Sequence, residues 1–244
     1  MTVPHEIVPV VPGRLWHALE DDEVVGRAHL LHRPDGRRFL GVDAWRPVTF
    51  DRLVRAVLAD VPHDLHSRVD AHDGETLDGL ARHGFSVARR EDDVLVRTAV
   101  PDPPAPFVVP ILPATDVPAA RLAALDRALR EDGPDGDGWA DEARRPYLLT
   151  HLVAVDDRTG DLVGLARIWR GTQLPRLGVV GVTRSHRGCG LGRALLEAAF
   201  MPLAKDGVAR VTAEVDASNP AGQALLRGFG AVRTGGSVEM HRPH

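Results

Sequence analysis

Residues 180–193 read VGVTRSHRGCGLGR, an apolar strand pattern that runs into a glycine-rich turn and then opens a helix. The first amides of a helix lack internal partners and lie at the positive end of its dipole, so they can bind a phosphate or diphosphate. Arg187 and Arg193 would add charge-assisted hydrogen bonds. Three glycines allow close backbone approach and φ values closed to other residues. They are Gly188, Gly190 and Gly192. The segment therefore predicts a site for a phosphate-bearing ligand.

Rossmann and P-loop proteins use similar turns, and two features separate this chain from them. It has no GxxxxGK[ST] pattern, so it lacks the residues expected of a Mg-nucleotide loop. The turn also lies late in the chain instead of after the first strand.

Strand and helix patterns surround the turn. Apolar or alternating runs predict strands, and apolar residues at helical spacing predict helices. The predicted strands are 108–112, 151–155, 162–169, 177–182 and 209–215. The predicted helices are 116–129, 191–204 and one that opens at Asn219 and ends near Gly228 and Gly230. Residues 177–182 are apolar on both alternate sets, which predicts a central strand.

The run Arg187-Gly188-Cys189-Gly190-Leu191-Gly192 resembles the Arg-x-x-Gly-x-Gly acetyl-CoA loop of the GNAT acetyltransferase superfamily. The resemblance covers residues 108–242 and implies direct transfer of an acetyl group from acetyl-CoA to an amine. It also implies that the loop amides hold the pyrophosphate and that a splayed pair of strands admits the pantetheine arm. The implied cofactor contacts are Val180, Val182, Thr183, Arg187, Gly188, Cys189, Gly190, Leu191, Gly192, Arg193 and Asn219.

An internal repeat extends this fold to the first half. VDAHD at 69–73 and VDASN at 215–219 correspond at an offset that also matches Leu80 with Leu226 and Gly84 with Gly230. Such self-similarity suggests duplication, although two unrelated α/β pieces could share a short coincidence.

Where the second half has its glycines, the first half has AWRPVTF, with proline and aromatic residues instead. We therefore predict a degenerate GNAT-like domain at 1–100 without the acetyl-CoA loop, a proline-rich linker at 101–107 and a GNAT acetyltransferase domain at 108–244. The predicted fold class is α/β (α+β), with two GNAT-like domains that are each a mixed, mostly antiparallel sheet flanked by helices.

Candidate catalytic groups are less clear. The resemblance implies a tyrosine acid in the last helix, but that position is Leu226, and the single tyrosine, Tyr147, lies before the second strand of the domain. Glu214 is the candidate base, because it shares a strand face with Asp216 that would border the cleft. A solvated or structurally bonded carboxylate is the alternative. His186 could titrate near neutrality, although loop packing is the commoner role at such a position.

An acidic loop at 131–142 predicts the acceptor side, since negative charge would concentrate a cationic amine. Asp135, Asp137 and Trp139 are the predicted substrate contacts, with Trp139 as an apolar or cation–π wall. The expected acceptor is a small amine of the polyamine, aminoglycoside or amino-acid-derived type. Two alternatives stay open: an acyl-CoA-binding sensor or interaction module without turnover, and a protein N-acetyltransferase.

Bulk composition excludes several classes of partner. The 244 residues carry a formal net charge of −4, which predicts no nucleic-acid partner. The single Cys189 cannot form an internal disulfide, and no Cys/His set has zinc-site spacing, so no metal is expected. Without a signal-peptide pattern or an apolar run of membrane length, we expect a cytoplasmic monomer or homodimer with no membrane partner.

Overall fold

The computed structural model describes residues 6–33, 35–100, 109–132 and 148–244. Twelve strands and five helices occur in these ranges, and none of the helices has the length and apolar character needed to cross a membrane. The strands are β1 (Glu6–Val11), β2 (Leu15–Glu20), β3 (Glu23–His32), β4 (Arg38–Ala44), β5 (Leu65–Asp70), β6 (Ser86–Arg97), β7 (Ile111–Pro113), β8 (Leu148–Val155), β9 (Leu162–Trp169), β10 (Arg176–Val182), β11 (Arg210–Asp216) and β12 (Val232–Arg242). The helices are α1 (Pro47–Asp60), α2 (Gly74–Arg82), α3 (Ala119–Asp132), α4 (Leu191–Lys205) and α5 (Pro220–Arg227).

The chain forms two compact units whose limits differ from the predicted linker. One unit comprises Met1–Arg90 with Gly235–His244, and the other comprises Glu91–Thr234. Each unit therefore contains a strand segment from the other half of the sequence, because strands join a sheet through hydrogen-bonded neighbours and not through chain proximity. The predicted linker at 101–107 lies outside the described residues.

In the second unit the strands follow the order β6-β11-β10-β9-β8-β7. The pairs are antiparallel except for β10 with β11, which run parallel. Two apolar clusters form the core: a larger one built around α4, and a smaller one in which Leu125 and Leu129 of α3 pack against Val153, Leu165 and Val179. The sheet therefore has α3 against one face and α4 against the other.

In the first unit the order is β1-β2-β3-β4-β5-β12, again antiparallel except for the parallel pair β4 and β5. The core surrounds α1, whose Leu53, Val54 and Val57 are fully buried. Both units are thus mixed, mostly antiparallel sheets flanked by helices, which confirms the predicted fold class.

The repeat found in the sequence has matching local geometry. Asp73 caps α2 by accepting a hydrogen bond from the Thr76 amide at 3.0 Å, and Asn219 caps α5 by accepting one from the Gly222 amide at 2.9 Å. Gly84 and Gly230 follow the two helices within three residues and have φ values of 85° and 66°. These residues correspond at the offset seen in the sequence. That the first half is a degenerate copy stays a prediction, which this geometry favours.

The first unit differs at the start of its first helix. α1 begins with Pro47, which has no amide hydrogen to offer an anion. The ring of Phe50 packs onto Gly79 of α2 so closely that a Cβ added there would lie 2.7 Å from Phe50 Cε1. At the repeat position of Gly79 the second unit has Leu225, which packs against Gly192 instead. An aromatic ring thus fills the space between helices in the first unit.

The predicted elements of the second half are largely confirmed. β8 to β11 and α3 to α5 occur within a few residues of their predicted limits, and β10 is central, between β9 and β11. α3 begins at Ala119 and extends to Asp132, so the first residues of the predicted acidic loop belong to a helix. The first predicted strand is shorter than expected within the described residues, because β7 begins at Ile111.

Candidate active site

The glycine-rich turn has a backbone suited to holding an anion. Gly188 and Gly190 have φ values of 78° and 85°, in the left-handed region that glycine tolerates best. Gly190 is the N-cap of α4, and no described side chain caps that end of the helix. The first amides of α4 therefore remain available to an external acceptor, and the helix dipole adds to their attraction for negative charge.

A cleft opens beside this turn because β10 and β11 diverge. Their parallel register pairs Arg176 with Thr212 and Leu177 with Ala213, and the strands separate after these positions. The resulting cleft has a volume of about 460 Å³. At its edge Gly192 of α4 faces Leu225 of α5, where an added Cβ would make an ordinary contact at 3.4 Å from Leu225 Cδ2. The fold thus places the N-terminal end of α4 at the mouth of a groove.

Most of the predicted cofactor contacts line this cleft. They are Val180, Val182, Arg187, Gly188, Gly190, Leu191, Gly192, Arg193 and Asn219. Thr183 and Cys189 are not among the lining residues. The Thr183 hydroxyl and His186 Nδ1 lie within hydrogen-bond distance at 3.2 Å, and Cys189 Sγ donates to the His186 carbonyl at 2.8 Å. Their assignment as cofactor contacts stays a prediction.

The two arginines of the turn make hydrogen bonds within the protein. Arg187 Nε donates to the Val182 carbonyl at 3.0 Å, which ties the turn to the end of β10. Arg193 Nε donates to the carboxylate of Glu197 at 2.9 Å, and its guanidinium lies over the Phe229 ring. Because Glu197 is only 2% exposed, this ion pair fixes the first turn of α4. Their predicted bonds to a diphosphate remain predictions.

Glu214 lines the cleft and is ion-paired. Arg176 Nη2 donates to Glu214 Oε2 at 2.8 Å, between the two strands that diverge there. The carboxylate thus has a structural partner, and its role as a base stays a prediction. Leu226, at the position implied for an acid, is buried and lines the same cleft, so it offers an apolar surface and no proton.

His186 connects the glycine turn to the hairpin between β8 and β9. Its Nδ1 lies 2.9 Å from the Ser185 hydroxyl, and its Nε2 lies 3.1 Å from Asp156 Oδ2. Hydrogen bonds from the Arg158 amide and from His186 lower the pKa of the Asp156 carboxyl. These contacts are those of a packing residue, which favours that role over catalysis.

The predicted acceptor residues Asp135, Asp137 and Trp139 lie outside the described residues, as does Tyr147. In the described parts of the chain, no group of three or more His, Cys, Asp or Glu side chains could hold a metal ion.

A buried polar cluster that the sequence analysis missed lies on the α3 face of the sheet. Arg167 Nη2 donates to both carboxylate oxygens of Asp126 at 2.8 Å, and Arg167 Nε donates to His151 Nε2 at 3.2 Å. Burial, reinforced by the charge of Arg167 and opposed by Asp126, lowers the pKa of His151 to about 4. His151 is therefore neutral near pH 7. The signal in the sequence was a single arginine within the apolar strand LVGLARIW.

Comparisons with known proteins agree with this geometry. Residues 119–231 match the model of the Acetyltransferase (GNAT) family. No curated protein matches the chain by sequence.

Solved structures share the fold over nearly the whole chain. A GCN5-related N-acetyltransferase from Sphaerobacter thermophilus has a TM-score of 0.69 at 20% identity, covering 95% of this chain and 81% of its own. One from Kribbella flavida has a TM-score of 0.64 at 17% identity, covering 98% and 90%. A tandem GNAT protein from the clavulanic acid biosynthesis pathway has a TM-score of 0.62 at 20% identity, covering 94% and 82%. Residues 119–231 are therefore similar to the Acetyltransferase (GNAT) family, and the solved structures share the fold in which these residues lie.

Proposed function

We propose that this domain is an acetyl-CoA-dependent N-acetyltransferase that transfers the acetyl group directly to a small amine. The observation that carries the proposal is the uncapped helix end at Gly190, which opens onto the groove between β10 and β11. A diphosphate bound at that helix end would direct a linear thioester arm into the groove. The site therefore suits a long, anionic thioester better than a compact nucleotide.

Each part of the groove would have a separate role. The amides that begin α4 would bind the diphosphate, and Arg187 and Arg193 would lie beside it. Val180 and Val182 would flank the arm on the β10 side. Asn219 would border it from α5, although its Oδ1 is engaged in capping that helix.

The reaction needs an amine that is neutral when it attacks. It also needs a group that accepts the proton lost by the amine and a source of a proton for the departing thiolate. The amine nitrogen attacks the acetyl carbon, so that a C–N bond forms and the C–S bond breaks. In this proposal the carboxylate of Glu214 accepts the proton that the amine loses. The departing thiolate takes its proton from water, because Leu226 offers none. The proposed transfer is direct, from the thioester to the amine, and involves no acyl-enzyme intermediate.

The acceptor would approach from the side of the acidic segment at 131–142, where negative charge attracts an ammonium group. Replacement of both Asp135 and Asp137 by asparagine should raise KM for a cationic amine and leave acetyl-CoA affinity unchanged. An unchanged KM would remove these two residues from the acceptor site.

Calorimetry with acetyl-CoA and with CoA, followed by a thiol-release assay over an amine panel, tests the proposal. We expect one molecule of acetyl-CoA per chain, because α1 of the first unit begins with proline and Phe50 fills the neighbouring space. We also expect CoA release that depends on the amine. No heat with either ligand would refute the acetyl-CoA assignment.

A second candidate function is an acyl-CoA sensor without turnover. Two observations favour it: the acid position is occupied by Leu226, and Glu214 is already paired with Arg176. Saturable binding of acetyl-CoA without CoA release for any amine or peptide acceptor would support the sensor. CoA release that occurs only with peptide acceptors would instead indicate a protein N-acetyltransferase.

A further inference from the structure

Three buried hydrogen-bond donors on the α3 face of the sheet have no acceptor among the described residues. They are Arg167 Nη1, Trp169 Nε1 and Arg176 Nε. Arg167 is 3% exposed and Trp169 is 4% exposed, so bulk water does not serve them. Buried donors in folded proteins nearly always have partners, and each exception calls for an explanation. We call these three residues the donor cluster.

The register of the strands places the donor cluster together on one face. Arg167 and Trp169 are two apart on β9, so their side chains share a face, which the Arg167–Asp126 ion pair identifies as the α3 face. Arg176 of β10 is the direct cross-strand neighbour of Trp169. Cross-strand neighbours in antiparallel pairs lie about 4.5–5.5 Å apart at Cα.

The donor cluster also adjoins the cleft. Val179, the cross-strand neighbour of Arg167, lines the cleft, as does Leu129, which is one helical turn from Asp126. Glu214, which accepts from Arg176, lines it too. The residues of the donor cluster do not themselves line the cleft but neighbour residues that do, and the lining includes Glu214, a carboxylate that could hold an ammonium group.

Charge balance limits what can bind there. Asp126 neutralises Arg167, Glu214 neutralises Arg176, and His151 is uncharged near pH 7. A polyamine would bring net positive charge against two guanidinium groups. A zwitterion would leave the balance unchanged, with its ammonium group near Glu214 and its anionic group toward the donor cluster.

We propose that the acceptor is an amine that also carries a carboxylate, as an amino acid does, and that this carboxylate binds the donor cluster. This assignment rests on the proposed acetyl transfer and narrows its substrate class. A carboxylate supplies two oxygens and four lone-pair positions, enough to accept from Arg167 Nη1, Trp169 Nε1 and Arg176 Nε. Binding it would satisfy donors that have no acceptor within the described part of the chain.

The test compares matched pairs that differ only in the carboxylate. Amino acids with apolar, basic and acidic side chains are paired with their decarboxylated amines, for example phenylalanine with 2-phenylethylamine. Calorimetry in the presence of CoA measures binding of the N-acetyl form of each member, and thiol release measures turnover of the free amines. In at least one pair, we expect the carboxylated member to bind at least tenfold more tightly.

Variants of the donor cluster should reduce that preference. Trp169→Phe removes the indole N–H with little change in shape, and we expect it to reduce the preference about fivefold while acetyl-CoA affinity is unchanged. Trp45→Phe is the matched control, because Trp45 is 85% exposed in the first unit. Arg167→Lys keeps a cation beside Asp126 but loses the Nη1 donor, and it should act in the same direction.

The outcomes separate this proposal from the proposed function. Equal binding within every pair, no binding of any carboxylated member, or a preference that Trp169→Phe leaves intact would overturn the carboxylate site. Tighter binding of carboxylated members without CoA release would support the site and refute the transferase. Equal turnover within every pair would support the transferase and overturn the site.

Discussion

Replacement of Gly190 by alanine would test whether backbone geometry creates the anion site. Gly190 has φ of 85° and ψ of −2° at the N-cap of α4, and an added Cβ would meet no atom within 4 Å. The substitution is therefore sterically free, and its cost is backbone strain alone. Left-handed backbone costs an L-residue about 1–2 kcal/mol. For a unit of this size we expect the melting temperature to fall by roughly 2–8 °C.

The same strain should also weaken ligand binding. If the backbone relaxes toward negative φ, the amides at the start of α4 rotate away from the diphosphate. A hydrogen bond to a charged group contributes about 1.5–3 kcal/mol. Loss of one such bond would therefore weaken acetyl-CoA binding by roughly 10-fold to 150-fold, measured by calorimetry.

Gly36→Ala is the matched control for this experiment. Gly36 has φ of 87° and equally open surroundings, but it lies in the turn between β3 and β4 of the first unit. We expect Gly36→Ala to lose similar thermal stability and to keep full acetyl-CoA affinity. If Gly190→Ala loses stability like the control yet binds acetyl-CoA as tightly as the unmodified protein, the reasoning about the amides is wrong.

Three further substitutions give distinct expected results. Glu214→Gln should lower kcat by about 100-fold or more if Glu214 is the base, with acetyl-CoA affinity unchanged, as stopped-time thiol release would measure. Asp126→Asn should lower the free energy of unfolding by about 3 kcal/mol in urea titrations, because it leaves the buried charge of Arg167 without a counter-ion. His151 has a folded-state pKa of about 4, below its usual 6.5, so the unfolded chain binds more protons between these values. Stability should therefore fall by up to about 3 kcal/mol as pH decreases from 6.5 to 4, and His151→Gln should abolish that part of the slope.

Each of these has a control of the same chemistry at an exposed position of the first unit. Glu75→Gln, Asp78→Asn and His72→Gln change exposed side chains on or beside α2. If Glu214→Gln has the same kcat as the Glu75→Gln control, Glu214 is not the base. Equal stability of the Asp126 and Asp78 variants would contradict a buried ion pair. If His151→Gln and His72→Gln change the pH dependence of the free energy of unfolding to the same extent, that dependence does not arise from His151.

The features that the sequence predicted correctly are local ones. Gly188 and Gly190 adopt positive φ, a conformation that glycine takes without steric cost and few other residues tolerate. The turn could therefore be identified from residue types alone. Asn219 opens α5 as predicted and caps it through a bond to an amide three residues ahead, which is a short-range interaction. The strand and helix patterns of the second half depend on periodicity within each segment.

Long-range pairing decided the rest. No local pattern near residues 237–242 indicates that β12 pairs with β5, because this pairing joins residues more than 160 positions apart in the chain. Glu214 could be placed on a strand face, but its pairing with Arg176 depends on how β10 and β11 align.

The sequence by itself determined the glycine-rich turn, the helix that follows it and the proline that begins α1 in the first half. These depend on the conformational freedom of glycine, the missing amide hydrogen of proline and the spacing of apolar residues. Only the tertiary structure decided that Asp126, His151 and Arg167 share one buried cluster. It also placed beside them Trp169 and Arg176, each with a donor that no described residue accepts. Their proximity arises from strand register and helix packing, which bring together residues far apart in the chain, and no local pattern encodes it.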